Sequence, residues 1–122
     1  MTPGELVTAF IRALEHKDFD TACSMVTADC EYDNVPFAKV YGPDGIRSVL
    51  EPFLGGCTGV DWVVHYQAET GDVVMNERTD RFEVGGSWKE LRVAGLFVVR
   101  DGQIALWRDY FDQGQFTAAM SG

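Results

Sequence analysis

The sequence predicts an α+β fold in which N-terminal helices pack on one face of a curved sheet, antiparallel or mixed. Three observations carry this. Apolar residues recur at helical spacing through the first quarter of the chain, and from Gly59 onward they alternate with period two. The second region is broken by Glu69-Thr70-Gly71-Asp72, Gly85-Gly86-Ser87 and Asp101-Gly102, which read as three turns joining four strands. Helices followed by a meander of strands imply helices segregated to one side of a sheet.

The first helix is announced by Thr2-Pro3-Gly4-Glu5, a capping box with Thr2 as N-cap, Pro3 at the first helical position and Glu5 reaching back. Leu6, Val7, Phe10, Ile11 and Leu14 form its apolar face, and it ends near His16. Asp18 caps a shorter second helix whose stripe is Phe19, Ala22, Cys23 and Val26. A short strand is expected around Cys30 to Asn34. A third helix starts at Gly42-Pro43-Asp44 and buries Ile46, Val49 and Leu50, with Pro52 expected to end or kink it. Four long strands follow at roughly 60–69, 73–84, 88–100 and 103–113, the last two joined by the two-residue hairpin signal Asp101-Gly102. On the first of these, Trp62 and Tyr66 share a face by parity, and helix cover or a subunit interface is the expected reason for them and for Trp88.

At 122 residues the chain suits one domain, 1–122, with enough apolar content (46%) to build a core. Nineteen acidic residues against ten basic ones give a net charge of -9, and no Lys/Arg cluster offsets it. A nucleic-acid backbone or an anionic membrane surface is therefore not an expected partner. No apolar run approaches the roughly 20 residues that span a bilayer, so neither membrane insertion nor a signal peptide is expected. Cys23, Cys30 and Cys57 are odd in number and read as reduced thiols, which points to the cytoplasm. His16 and His65 stand apart from each other and from any cysteine pair, so no metal site is expected.

Polar residues on apolar faces carry the functional signal. In the strand from Val74 to Val84, Val74, Arg78, Asp80, Phe82 and Val84 share one face, while Glu77, Thr79, Arg81 and Glu83 share the other. Charges on the apolar side are costly unless paired. In the last strand Asp109 falls between Trp107 and Phe111 on one face. Tyr32 and Asn34 likewise share a parity opposite to Glu31 and Asp33. The plain reading is a structural ion pair of Arg78 with Asp80 or Asp109, with Tyr32 and Asn34 satisfying backbone groups. The chemical reading is that an arginine between two carboxylates can hold one ionised and the other protonated. The same faces supply candidate pocket walls in Val74, Phe82, Trp107 and Phe111, joined by Leu50 and Phe53 from the third helix.

Three motifs in register resemble the limonene-1,2-epoxide hydrolase family, within the superfamily named for nuclear transport factor 2. They are Tyr32-x-Asn34, Asn76-Glu77-Arg78-x-Asp80 and Trp107-Arg108-Asp109-Tyr110-Phe111-Asp112. The resemblance spans nearly the whole chain. It implies a cone-shaped domain with a deep pocket, a homodimer, and cofactor-free hydration of a small cyclic or terpene-like epoxide to a vicinal diol. It further implies that Asp109 is the general base acting on water, that Tyr32 and Asn34 hold that water, that Asp80 is the general acid, and that Arg78 bridges both acids. The alternatives within the same fold are an isomerase or cyclase of the ketosteroid isomerase type, which needs no arginine between two acids, and a non-catalytic ligand-binding module, which would not need to keep all five polar residues.

Overall fold

The computed structural model describes residues 1–121. In chain order the elements are α1 (Pro3–Glu15), α2 (Phe19–Ser24), β1 (Val26–Asn34), β2 (Lys39–Tyr41), α3 (Gly42–Gly55), β3 (Gly59–Thr70), β4 (Val73–Val84), β5 (Ser87–Arg100), β6 (Gln103–Tyr110) and α4 (Gln113–Ser121). The capping box forms as the residues dictate. Thr2 Oγ1 accepts from the Glu5 N–H, and Glu5 Oε1 accepts from the Thr2 N–H at 2.8 Å. Asp18 caps α2 on the Thr21 N–H.

The six strands make one curved, unclosed mixed sheet in the order β2-β1-β6-β5-β4-β3. All neighbours are antiparallel except β1 and β6, which run parallel. The turn before β6 holds Asp101 and Gly102 both at positive φ (53° and 77°), and the turn before β5 holds Gly85 and Gly86 at 58° and 80°. Two consecutive positive φ values give the hairpin turn whose twist matches the strands it joins. α1 covers one end of the inner face, where Phe10 meets Trp107 edge-on at 5.0 Å and Leu14, Ile11 and Val7 are buried. α3 and α4 flank the other end.

Several expectations are corrected. β1 begins at Val26 rather than near Cys30, so Val26 belongs to the sheet and not to the stripe of α2. β6 stops at Tyr110, which leaves Phe111 beyond the strand. α3 runs through Pro52 to Gly55. Pro52 sits in the last turn, where the one carbonyl it leaves without a helical partner, on Ser48, lies on an exposed residue. Trp62 and Tyr66 do not share a face. The β3–β4 register shifts between Val64 and Tyr66, and this bulge turns Tyr66 outward to 75% exposure while Trp62 stays buried inside. No helix among the described residues is long and apolar enough to cross a membrane.

Candidate active site

Strand register brings the polar residues together. One transverse row across five strands reads Gln67, Asn76, Gly95, Asp109 and Asn34, each paired with the next. The row on its closed side is Val74, Phe97, Trp107 and Tyr32. On its other side stand Arg78 and then Asp80, the latter paired with Trp62 and Leu91. Period-two alternation directs all of these side chains to the inner face.

Arg78 is the hub, fully buried with every N–H of its guanidinium committed. Nε donates to Asp80 Oδ1 at 2.9 Å and Nη2 to Asp80 Oδ2 at 3.0 Å. Nη1 donates to Asn76 Oδ1 at 3.1 Å and to Asp109 Oδ1 at 3.2 Å, and Nη2 also reaches Asp109 Oδ2 at 2.9 Å. A guanidinium has five N–H donors in a fixed fork, and this site uses all of them. The Arg78 charge also lies 5.6 Å from the Trp62 ring centroid. Asn76 is held in turn through its Nδ2, which donates to Gln67 Oε1, and Gln67 Nε2 donates to the Gly4 carbonyl of α1.

The guanidinium reaches Asp109 only by crossing β5, and Gly95 makes the crossing possible. A Cβ there would stand 2.5 Å from Arg78 Nη1, 2.8 Å from Asn76 Oδ1 and 3.1 Å from Asp109 Oδ1. No side chain fits at that position without moving the hub.

The two carboxylates sit in unlike surroundings. Asp109 accepts a further bond from the Trp107 indole N–H at 2.9 Å. Asp80 has no donor beyond Arg78 among the described residues and is walled by Trp62, Phe82 and Leu91. Burial pushes the Asp80 carboxyl above the usual carboxylate range; Arg78 pulls the other way, and Asp109 and Glu15 add to the push. Arg78 remains charged: burial works against its charge, but Asp109 and Asp80 more than offset that and hold its pKa above the ordinary value. Tyr32 is kept protonated by burial and then by the charge of Asp109, while its oxygen accepts from Asn34 Nδ2 at 3.0 Å. Its ring stacks on Trp107 with centroids 4.0 Å apart.

A mostly apolar cavity of about 170 Å³ opens on this constellation. Tyr32, Asn34, Asp80 and Asp109 all reach its wall, and Arg78 lies behind the two acids rather than on it. Of the expected apolar lining, Phe82, Phe111, Leu50 and Phe53 are on the wall. Val74 and Trp107 are not: both are fully buried beneath it, and Trp107 acts on the site from below by stacking on Tyr32 and bonding Asp109. Phe37, Val49, Trp62, Leu91, Val93 and Phe116 complete the wall.

Sequence reasoning missed Asn76 as a partner of Arg78, and it missed Gly95, although Asn76 shares the strand parity of Arg78 and an isolated glycine inside a strand pattern signals close approach. Phe37, Phe116 and Trp62 gave no usable signal. The first two lie in a loop and a helix not anticipated, and the third is separated from its apparent parity by the bulge. Among the described residues no cluster of His, Cys, Asp and Glu could hold a metal ion.

Comparison with known proteins gives a concordant result. The family model described as the limonene-1,2-epoxide hydrolase catalytic domain matches residues 2–121. The epoxide hydrolase EphG of Mycobacterium tuberculosis (strain ATCC 25618 / H37Rv) is 38% identical over 106 residues, which cover 87% of this chain and 70% of that protein. A solved LEH-like epoxide hydrolase from M. tuberculosis superposes with a TM-score of 0.83 at 35% identity, covering 97% of this chain and 89% of the other. TerC, crystallised with polyporic acid, has a TM-score of 0.86 at 20% identity and covers 98% of each chain, a likeness of fold alone.

Proposed function

The chain belongs to the limonene-1,2-epoxide hydrolase family and is an epoxide hydrolase; from that premise we propose that it hydrates a small cyclic or terpene-like epoxide in one concerted step, giving a vicinal diol with no covalent intermediate. The observation that carries the reading is Arg78 bonded by all five N–H groups among Asp80, Asp109 and Asn76, beside the Tyr32–Asn34 pair. Water needs one proton removed and its oxygen aimed. Asp109 and the Asn34 side-chain Oδ1 can each accept a water O–H, and the Tyr32 hydroxyl, already accepting from Asn34 Nδ2, can donate to the water oxygen. That leaves one lone pair for attack.

The epoxide oxygen is a poor leaving group at neutral pH and needs a proton as its bond to carbon breaks. Asp80 supplies it, because burial favours its neutral form. The water oxygen bonds to one ring carbon while Asp109 takes the water proton, that carbon's bond to the ring oxygen breaks, and the oxygen takes the proton of Asp80. A positioned acid and base contribute roughly 10²- to 10⁴-fold each. The cycle closes when the proton gained by Asp109 is returned to Asp80. The apolar wall and the cavity volume suit a compact hydrocarbon body around the ring.

A single turnover in ¹⁸O-water with enzyme in excess tests the route. The first diol is expected to carry one solvent oxygen, and Asp109→Asn to be nearly inactive yet folded. Unlabelled first-turnover diol, with label left on an aspartate, would show an ester intermediate and end the reading.

The same reading includes a homodimer. Tyr66, Met75 and Tyr110 are exposed on the outer face, with Leu96 and Val98 half-buried beside them, and such a patch favours a second copy. Light scattering at tens of micromolar should give twice the chain mass, and a monomer would count against it.

A further inference from the structure

Glu15 ends α1, and by local rules it is out of place. The C-terminus of a helix carries partial negative charge, so a carboxylate there is unfavourable unless something offsets it. Such breaches tend to mark functional positions. The Glu15 side chain is only 9% exposed. Its Oε2 accepts from the Trp62 backbone N–H at 2.8 Å, and its Oε1 pairs with Arg12 Nη1 at 2.6 Å. β3 is an edge strand, so this bond caps an edge N–H, and a neutral amide would cap it equally well. Trp62 is the residue paired across the ladder with Asp80. The charge of Glu15 is therefore fixed one strand away from the acid, on the side opposite Asp109.

We propose that Glu15 is a positioning residue for the acid: its buried negative charge, acting on Asp80 from α1, biases the shared proton of the site onto Asp80 and away from Asp109. This rests on the hydrolase reading above for its catalytic consequence but not for its physical basis. The charged and titratable groups facing Asp80 are Arg78 from β4, Asp109 from β6, Tyr32 from β1, and Glu15 from α1 with Arg12 outside it. Among the described residues, β3, β5 and the two flanking helices bring to the cavity wall only uncharged side chains such as Trp62, Leu91, Phe53 and Phe116. Arg78 touches both acids, so it cannot by itself choose between them. Glu15 acts on Asp80 in the same direction as burial.

The two members of the Glu15–Arg12 pair should act with opposite sign. Glu15→Gln keeps an oxygen for the Trp62 N–H and removes the charge, so Asp80 should lose its proton earlier. The alkaline limb of the pH profile for hydration of racemic limonene-1,2-epoxide, followed as diol, should then move down by roughly half a unit. Arg12→Gln leaves Glu15 uncompensated, and the limb should move up. A purely structural Glu15 would lower rate or stability and leave both limbs where they are in the parent, which would overturn the proposal, as would shifts of the same sign. Should Glu15→Gln not fold, the upward shift in Arg12→Gln decides alone. The midpoint of Asp80 itself, followed by ¹³C carboxyl resonances without substrate and assigned with Asp80→Asn, separates the two ideas. Turnover with an unmoved Asp80 midpoint in Glu15→Gln refutes the role of Glu15. A moved midpoint in a protein that turns over no epoxide upholds that role and refutes the hydrolase reading.

Discussion

Arg78 and Arg108 each stand between two carboxylates of the same sheet, Arg78 on the inner face with Asp80 and Asp109, Arg108 on the outer face with Glu31 and Asp33. Their bond lengths are alike. Arg108 Nε meets Asp33 at 2.9 Å and its Nη2 meets Glu31 at 2.8 Å. What differs is water. The Arg78 side chain is 0% exposed and its partners 5% and 6%, whereas Arg108 is 27% exposed beside Glu31 at 24% and Asp33 at 10%. On the outer face solvent screens the charges and weakens the ion pairs. On the inner face desolvation opposes the charge of Asp80 and a cavity opens on both acids. An arginine between two carboxylates ties strands together in one place and holds the proposed acid and base in the other.

The largest test of this contrast is Arg78→Ala. It leaves two carboxylates facing each other without water, and the expected loss is about 3–5 kcal/mol of stability together with all measurable turnover. Arg78→Lys restores the charge with three donors where five are used, so it should recover stability, read by thermal melting, better than rate. Equal activity of the lysine variant and the parent would remove the case for a two-sided bridge.

Next in size is Gly95→Ala. The added methyl meets Arg78, Asn76 and Asp109 at once, and overpacking of this kind costs about 1–3 kcal/mol. Because the displaced groups are the hub and the proposed base, turnover should fall by roughly tenfold or more, beyond what the fraction unfolded explains. A variant that melts lower but retains its rate per folded molecule would show that the crossing of β5 tolerates adjustment.

The smallest effect belongs to Arg108→Ala, at about 1 kcal/mol or less in stability, with turnover within about twofold of the parent. A loss approaching that of Arg78→Ala would mean that the outer triad holds β1 and β6 in register for the site, and that the two faces are less independent than their exposures imply.

Much of this was legible beforehand. The capping box, the turns at Gly85-Gly86 and Asp101-Gly102, and the four long strands follow from short-range chemistry, and strand parity alone put Arg78, Asp80, Asp109, Tyr32 and Asn34 on inner faces. What escaped the sequence has physical causes. β2 is three residues long, pairs only with β1 and is half-buried at one position, so no alternation marks it. α4 has no buried residue and starts from Asp112 capping the Gln115 N–H, a signal hidden behind the apparent continuation of β6. The β3 bulge reversed the parity used for Trp62 and Tyr66, and a one-residue slip moves every later side chain to the other face. Gly95 gave the weak signal of an isolated glycine in a strand, which does not say what approaches it, because its contribution is the atom it lacks.

The parallel pairing of β1 with β6 joins Asn34 to Asp109 and Tyr32 to Trp107 across more than half the chain. Every other strand contact links neighbours in sequence and can close as soon as its hairpin exists. A chain synthesised only as far as β5 already owns Asp80 and Arg78, but Tyr32 and Asn34, proposed to hold water, lie on a strand with only the short β2 beside it and lack Asp109, the proposed base. Closing that last long loop carries the greatest entropic cost in the topology. Catalytic competence is therefore the final property the folding chain acquires, and its return during refolding reports the docking of β6 rather than the formation of helices.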